Sequence, residues 1–176
     1  MRNRIARFGV AVVVAAIVVL IDQGTKTLAL SGLSQERRIP LLGDFLGLQL
    51  AFNPGAIFSF GASSTALITL IGLAVTVCLI VAAARTRTPL MAVAFGFLVG
   101  GAVGNLIDRL FSPPGFGIGH VTDFLAYGNL FIGNLADVAL GIGAVILVLA
   151  SWQASRQRRA LASTPTPHTP IQETAN

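Results

Sequence analysis

Two aspartates in the segment VTDFLAYGNLFIGNLADVAL, Asp123 and Asp137, are the residues of this chain best suited to carry out chemistry. Asp137 is followed by an apolar run long enough to cross a membrane, so both carboxylates are expected where water meets lipid. Two carboxylates that lie close together cannot both ionise easily, so one pKa rises and the pair shares a proton. The charged member can then activate water while the protonated member supplies a proton to a leaving amine.

Other catalytic chemistries lack the residues that they need. The chain has two histidines and one cysteine, and it contains no HExxH motif. It therefore offers no typical zinc site and no dithiol redox pair. Nothing in the sequence pairs His120 with a serine, and we assign this histidine no role. We expect aspartyl protease chemistry that uses neither a metal nor a cofactor.

Further polar residues recur at helical spacing. They form three groups: Asp22 and Lys26; Asn105, Asp108 and Arg109; Asn134 and Asp137. Residues three or four positions apart share a helix face. Ionisable residues in a span tend to face a bundle interior or a wet cavity, which makes each a candidate functional residue. A purely structural role stays open for two ion pairs, Asp22 with Lys26 and Asp108 with Arg109.

Four apolar stretches must position these side chains. Only 11% of the 176 residues are charged and 54% are hydrophobic, whereas soluble domains carry about 25% charged residues. Each stretch is near the roughly 20 residues that a helix needs to cross a bilayer. The sequence therefore predicts a four-helix transmembrane domain over residues 1–155, with helices at about 8–30, 64–84, 90–110 and 131–152. The first stretch resembles a signal peptide, but three spans follow it and no clear cleavage site ends it, so we interpret it as a retained helix.

Basic residues predict the orientation of these helices. Eight of the twelve Lys and Arg residues lie on one side of the predicted spans: Arg2, Arg4, Arg7, Arg85, Arg87, Arg156, Arg158 and Arg159. The positive-inside rule places that side, and with it both termini, in the cytoplasm. Six of the seven acidic residues fall in the opposite half, so we expect the chemistry near the outer face. The net charge of +5 reflects this orientation and does not indicate nucleic-acid binding.

The connecting segments differ in character. In the outer loop at about 31–63, Leu46, Leu48, Leu50 and Phe52 alternate with smaller or polar residues, which predicts a small β-platform. The Gly- and Pro-rich segment between helices 3 and 4 predicts irregular structure. The polar, Pro- and Thr-rich segment 156–176 predicts a disordered cytoplasmic tail.

Five segments resemble the motifs of the bacterial lipoprotein signal peptidases, also called signal peptidase II. They are DQGTK (22–26), NPGAIF (53–58), GGAVGNLIDRL (100–110), VTDF (121–124) and NLAD (134–137). The third is close to the family signature G-G-A-x-G-N-x-x-D-R. Two positions depart from the family pattern: Ile57 stands where a smaller residue is usual, and Gly133 stands where Phe is usual. The short step between the two aspartates predicts a reduced flap at 124–133.

The resemblance implies an all-α membrane protein, a four-transmembrane-helix bundle with a small β-platform on the extracytoplasmic side. It implies that Asp123 and Asp137 form the catalytic dyad. It also implies supporting or substrate-binding roles for eight residues: Asp22, Lys26, Asn53, Gly55, Asn105, Asp108, Arg109 and Asn134. The implied substrate is a diacylglyceryl-modified prolipoprotein, cut just before the lipidated cysteine in the bacterial inner membrane. The partners that we expect are such substrates and membrane lipid, with no nucleic acid, and we expect a monomer.

Two other classes of protein stay open on the residues alone. A small proton-coupled transporter could also use buried Asp, Asn and Arg, but its polar residues should occur at several depths, whereas these crowd the outer third. A non-catalytic assembly factor could use the glycines of helix 3 (Gly96, Gly100, Gly101 and Gly104) as a packing face. Such a factor would tolerate Asp123→Asn and Asp137→Asn, which a peptidase would not.

Overall fold

A computed structural model describes residues 2–55 and 64–162, and in these ranges four long helices are joined to four short strands. The helices are α1 (Arg2–Gly32), α2 (Thr65–Ala84), α3 (Pro89–Phe111) and α4 (Leu135–Ala162). The strands are β1 (Ile39–Leu42), β2 (Leu46–Asn53), β3 (Val121–Tyr127) and β4 (Phe131–Gly133). All four helices are long and apolar enough to cross a membrane. The predicted four-helix bundle with a small β-platform is confirmed.

Several predicted boundaries are wrong because they followed hydropathy alone. Helix α1 begins at Arg2 and ends at Gly32, beyond the predicted 8–30 at both ends. Helix α4 begins at Leu135 and not at 131, and it continues to Ala162. Arg and Gln are good helix formers, so the helix extends past its apolar part into the predicted tail. The rest of that tail, 163–176, and part of the predicted outer loop, 56–63, lie outside the described residues.

Helix α3 is the central element and packs against each of the other three helices. Its glycines permit this contact. A Cβ atom on Gly100 would lie 3.0 Å from the Ala15 carbonyl oxygen of α1, and one on Gly101 would lie 2.5 Å from the Ala136 carbonyl oxygen of α4. Small residues of this kind let transmembrane helix backbones approach closely. Helix α3 thereby brings Asp22 and Lys26 of α1 and Asp137 of α4 to the same end of the bundle as its own polar residues.

The start of α1 is tied to the turn between α2 and α3. The Arg4 side chain donates a hydrogen bond to the Ala84 carbonyl oxygen at 2.7 Å. The Arg7 side chain donates to the Arg87 carbonyl oxygen. The described arginines of the N-terminus and of the α2–α3 turn therefore lie at one end of the bundle, opposite the end that carries the two aspartates.

The four strands form one antiparallel sheet in the order β1-β2-β3-β4. The prediction of irregular structure between helices 3 and 4 is therefore wrong for 121–127, which form a hairpin with 131–133, the predicted start of the fourth helix. Gly128, with a φ of 54°, occupies its tight turn, a conformation that glycine adopts without strain. On its inner side the sheet packs through Leu50 and Phe124 against Ala29 of α1.

A β-bulge in β2 lies beside the first aspartate. Leu48 pairs with Leu125 and Ala51 pairs with Asp123, so two residues of β2 oppose the single residue between them in β3. Bulges bend a strand and redirect side chains, often next to functional sites. Here the irregularity brings the end of β2, with Asn53, alongside the start of β3.

Substitution of a single α3 glycine should measure how tightly the bundle packs. We expect Gly100→Ala to lower the free energy of unfolding by about 1–3 kcal/mol, the usual cost of overpacking, because the new Cβ would lie 2.6 Å from the Cβ of Val18. Thermal unfolding in detergent measures this change. Gly141→Ala is the matched control, since nothing lies within 4 Å of a Cβ there. Equal destabilisation by both variants would contradict the packing model.

Candidate active site

The two aspartates come from different elements that meet at one end of the bundle. Asp123 lies in β3, and Asp137 lies in the first turn of α4. The Asp123 side chain is buried, with a relative exposure of 2%, whereas Asp137 is exposed. The hairpin of β3 and β4 joins the two positions, so the short chain between them brings the carboxylates into one site.

Asn134 contacts both aspartates. Its side-chain oxygen accepts a hydrogen bond from the Asp137 backbone N–H at 3.1 Å, and its own backbone N–H donates to Asp137 Oδ2 at 3.2 Å. This reciprocal pair is a capping box at the start of α4. The Asn134 amide nitrogen is then free of the helix and donates to Asp123 Oδ1 at 2.5 Å. The cap of α4 thus fixes the relative position of the two carboxylates.

Two further asparagines complete the hydrogen bonding of the dyad. Asn105 of α3 donates through its amide nitrogen to Asp137 Oδ1 at 2.9 Å. Asn53 at the end of β2 donates to Asp123 Oδ2 at 3.3 Å. Each of the four carboxylate oxygens therefore accepts one hydrogen bond. Because each of these donors is a neutral amide, the described residues orient both carboxylates without pairing either one directly with a cation.

The environment of Asp123 favours its protonated form. Burial raises the pKa of the Asp123 carboxyl to about 6, and the nearby Asp137 charge acts in the same direction. The hydrogen bonds from Asn134 and Asn53 oppose this shift in the pKa and do not cancel it. A carboxyl group with such a pKa can hold and release a proton near neutral pH.

A buried lysine lies behind the dyad. Lys26 of α1 forms ion pairs with Asp22 Oδ2 at 2.8 Å and with Asp108 Oδ2 at 2.9 Å. Its third hydrogen bond goes to Asn105 Oδ1 at 3.0 Å. An ammonium group has three donors and no acceptor, so the oxygen of Asn105 must face Lys26. The amide nitrogen of Asn105 is thereby turned toward Asp137.

The two acids that pair with Lys26 also hold the backbone next to each member of the dyad. Asp22 Oδ1 accepts a hydrogen bond from the Ala136 N–H at 2.9 Å. Asp108 Oδ2 accepts one from the Thr122 N–H at 2.9 Å. Ala136 and Thr122 directly precede Asp137 and Asp123. The lysine and its two acids therefore join α1 and α3 to the start of α4 and to β3.

The predicted ion pair between Asp108 and Arg109 is wrong. Adjacent helical residues do not face each other, so while Asp108 pairs with Lys26, Arg109 turns toward the segment after β2. It donates to the Pro54 carbonyl oxygen at 3.3 Å and to the Gly55 carbonyl oxygen. The N–H of Gly55 in turn donates to Asn53 Oδ1 at 2.9 Å. Arg109 thus supports the turn that carries Asn53. The remainder of the NPGAIF motif lies outside the described residues.

Sequence reasoning assigned no role to Gln23, which the structure places among the acids. Its amide nitrogen lies 3.2 Å from Asp22 Oδ2, 3.1 Å from Asp108 Oδ1 and 3.1 Å from the Gly104 carbonyl oxygen. Its position in the DQGTK motif, one residue after Asp22, was the available signal. Among the described residues, no three His, Cys, Asp or Glu side chains are placed to hold a metal ion.

Comparisons with known proteins give the context for this geometry. Residues 14–153 match the family model described as signal peptidase (SPase) II. The chain is 50% identical over 129 residues to the lipoprotein signal peptidase of Leifsonia xyli, a match that covers 73% of this chain and 60% of that protein. It is 39% identical over 137 residues to that of Rhodococcus jostii, covering 78% and 69%. With that of Bifidobacterium adolescentis the identity is 44% over 151 residues, covering 84% and 79%.

Two solved structures of bacterial membrane enzymes, both determined by the in meso method, share the fold. One has a TM-score of 0.75 at 23% identity and covers 92% of this chain and 95% of its own. The other has a TM-score of 0.68 at 26% identity and covers 81% and 92%. The chain is thus a multi-pass membrane protein, and the family match over residues 14–153 shows that it belongs to the signal peptidase II family of aspartic proteases.

Proposed function

We propose that this protein is an intramembrane aspartyl endopeptidase that removes the signal peptide from diacylglyceryl-modified prolipoproteins, cutting just before the lipidated cysteine. The observation that carries the proposal is the placement of Asp123 and Asp137 on a common partner, Asn134, in a chain of the signal peptidase II family. The other two acids at this end of the bundle, Asp22 and Asp108, are paired with Lys26, whereas the described residues form no ion pair with Asp123 or Asp137.

The different surroundings of the two aspartates suggest their roles. Asp137 is exposed and is assigned the charged form, which accepts a proton from a water molecule as the water oxygen bonds to the peptide carbonyl carbon. Asp123 is buried and holds the proton that passes to the amine nitrogen as the carbon–nitrogen bond breaks. The dyad then holds one proton as before, now on Asp137, and transfer of this proton to Asp123 restores the starting state.

The neutral amides position this reaction. Asn105 and Asn134 hold Asp137, while Asn53 and Asn134 hold Asp123. Arg109 and Gly55 act one step away, by fixing the turn that presents Asn53. Positioned groups of this kind keep reacting atoms in alignment, and small displacements cost large factors in rate.

The location of the site agrees with a substrate that stays in lipid. The signal peptide and the acyl chains of the cysteine both prefer hydrocarbon, so the bond between them must be cut at the membrane edge. We propose that the protein lies in the bacterial cytoplasmic membrane with both termini in the cytoplasm. The site then faces the outer leaflet. We also propose that it acts as a monomer.

Replacement of either aspartate by asparagine should abolish cleavage. Purified wild type should cut a synthetic diacylglyceryl-cysteine prolipopeptide, and Asp123→Asn and Asp137→Asn should each lower kcat by at least about 100-fold, since each removes one acid–base function. Mass spectrometry of the products locates the cut. Asp44→Asn, at an exposed aspartate in the β1–β2 turn, is the matched control. Full activity of either dyad variant would sink the aspartyl assignment and favour the assembly-factor alternative.

The raised pKa of Asp123 predicts a pH-dependent stability. Folding favours the protonated carboxyl, so this stabilisation is complete below pH 3.8 and is lost as the pH rises through about 6. Asp123→Asn cannot lose a proton. Between pH 4 and pH 7.5 the free energy of unfolding of the variant should therefore rise by about 2–3 kcal/mol relative to that of wild type, because one pKa unit corresponds to about 1.4 kcal/mol. Thermal unfolding at both pH values tests this, and an unchanged difference would contradict it.

Removal of the Lys26 charge should destabilise the fold, because Asp22 and Asp108 would lose their cation. Lys26→Met leaves Asp22 and Asp108 buried without a cation, so we expect a loss of about 3–5 kcal/mol in the free energy of unfolding. The triple variant Lys26→Met, Asp22→Asn, Asp108→Asn should recover more than half of that loss, because no unpaired charge stays buried. Unfolding in detergent compares the two. A triple variant as unstable as the single one would show that the charges are not the cause.

A further inference from the structure

Two aromatic rings face each other across the hairpin that leads from one aspartate to the other. Tyr127 of β3 and Phe131 of β4 are direct cross-strand partners. Their ring centroids are 4.8 Å apart and the ring planes differ by 26°, which is a stacked arrangement. The pair is not enclosed in a core, since Phe131 is 40% exposed and Tyr127 is half-buried. Offset stacking of this kind holds both rings in a defined position.

The stacked pair lies beside the dyad. Asp123 and Tyr127 are four residues apart in one strand and therefore point to the same face of the sheet. Gly133 follows Phe131 by two residues, and a Cβ atom on it would lie 2.9 Å from Asp137 Oδ2 and 3.4 Å from a carbon of the Phe131 ring. The Asp137 carboxylate and the Phe131 ring thus flank the α-carbon of Gly133, which has no side chain to separate them. Burial and the nearby Asp137 charge raise the pKa of the Tyr127 hydroxyl, in keeping with this proximity.

The position of the pair indicates which part of a substrate it meets. A signal peptide runs as a helix in lipid, so the residues before the scissile bond lie on the side of the helix bundle. The cysteine after that bond must then leave on the side of the sheet. Tyr127 and Phe131 belong to the sheet, so they meet the cysteine and its lipid linkage.

We propose that the stacked Tyr127–Phe131 pair binds the thioether and glyceryl carbons of the lipidated cysteine and so selects for lipid-modified substrates, an inference that rests on the function proposed above. A thioether is apolar and polarisable, and its sulfur makes favourable contacts with aromatic rings. The ester-linked acyl chains stay in the bilayer, so the linkage is the part of the lipid that reaches the site. The exposed part of the Phe131 ring provides apolar surface for this contact.

The two products of cleavage can be used to test separately the part of the site that binds the signal peptide and the part that binds the lipidated cysteine. Each can be tested as a competitive inhibitor of purified wild type, Phe131→Ala and Phe131→Tyr, with a fluorogenic diacylglyceryl-cysteine prolipopeptide as substrate. For Phe131→Ala we expect the inhibition constant of the diacylglyceryl-cysteinyl peptide to rise about fivefold to tenfold through lost apolar contact. The inhibition constant of the released signal peptide should stay the same. Phe131→Tyr, which keeps the ring, should resemble wild type.

Leu130→Ala is the matched control, because Leu130 lies in the same turn and is 77% exposed. It should change neither inhibition constant. The proposal is overturned if Phe131→Ala leaves the binding of the lipidated product unchanged, weakens both products equally, or lowers kcat alone. Direct binding of a fluorescent diacylglyceryl-cysteinyl peptide tests the aromatic binding site independently of the proposed peptidase activity. If wild type binds that peptide in a Phe131-dependent manner but cleaves nothing, the proposed function fails and the aromatic site stands.

Discussion

The buried ammonium group of Lys26 is the interaction on which the arrangement of this molecule depends. A cation in a transmembrane bundle is costly unless it is paired and hydrogen-bonded, and here its three bonds go to Asp22, Asp108 and Asn105. Each of the two acids uses a further bond to hold the backbone immediately before a dyad aspartate. The charge on one helix therefore sets the relative position of two other helices and a strand, and the dyad sits at the point where they meet.

The glycines of α3 are the steric counterpart of that electrostatic centre. The short ion pair between Lys26 of α1 and Asp108 of α3 requires the helix axes to lie close together, and a Cβ on Gly104 would lie 2.6 Å from Asp22 Oδ2. Close backbone packing is therefore required for the contacts of Lys26 with Asp108 and Asn105. These contacts in turn fix the position of α1 along the axis of α3. A loss of either would allow the helices to slide against each other, because apolar side chains in lipid give little preference for one register.

The sequence was sufficient for the features that depend on local spacing. Four apolar stretches predicted four helices, and the four-residue interval between Asp22 and Lys26 predicted their ion pair. The sequence does not predict features that depend on pairing between segments far apart in the chain. The segment of β3 has the Gly- and Pro-rich surroundings of a loop, and it forms a strand because β2 pairs with it. The partner of Asp108 was misjudged for the same reason, since the adjacent Arg109 is near in sequence while Lys26 is near only after α1 and α3 have packed. The contacts of the dyad with its three asparagines are likewise visible only in three dimensions, although each asparagine lies in a recognisable motif.

The pairing of Lys26 within its own helix has a consequence for biosynthesis. Because Asp22 lies one turn away, α1 enters the membrane as a segment whose two charges already neutralise each other. Helix α3 is synthesised later and brings Asp108 without a basic residue on the same face, so its carboxylate gains a cation only on meeting α1. Helix α1, which is synthesised first, thus already carries the cation with which the Asp108 carboxylate of the third helix pairs. The last helix arrives when the Asp22 oxygen that receives it is already in place, so the catalytic site is completed only as translation of the bundle ends.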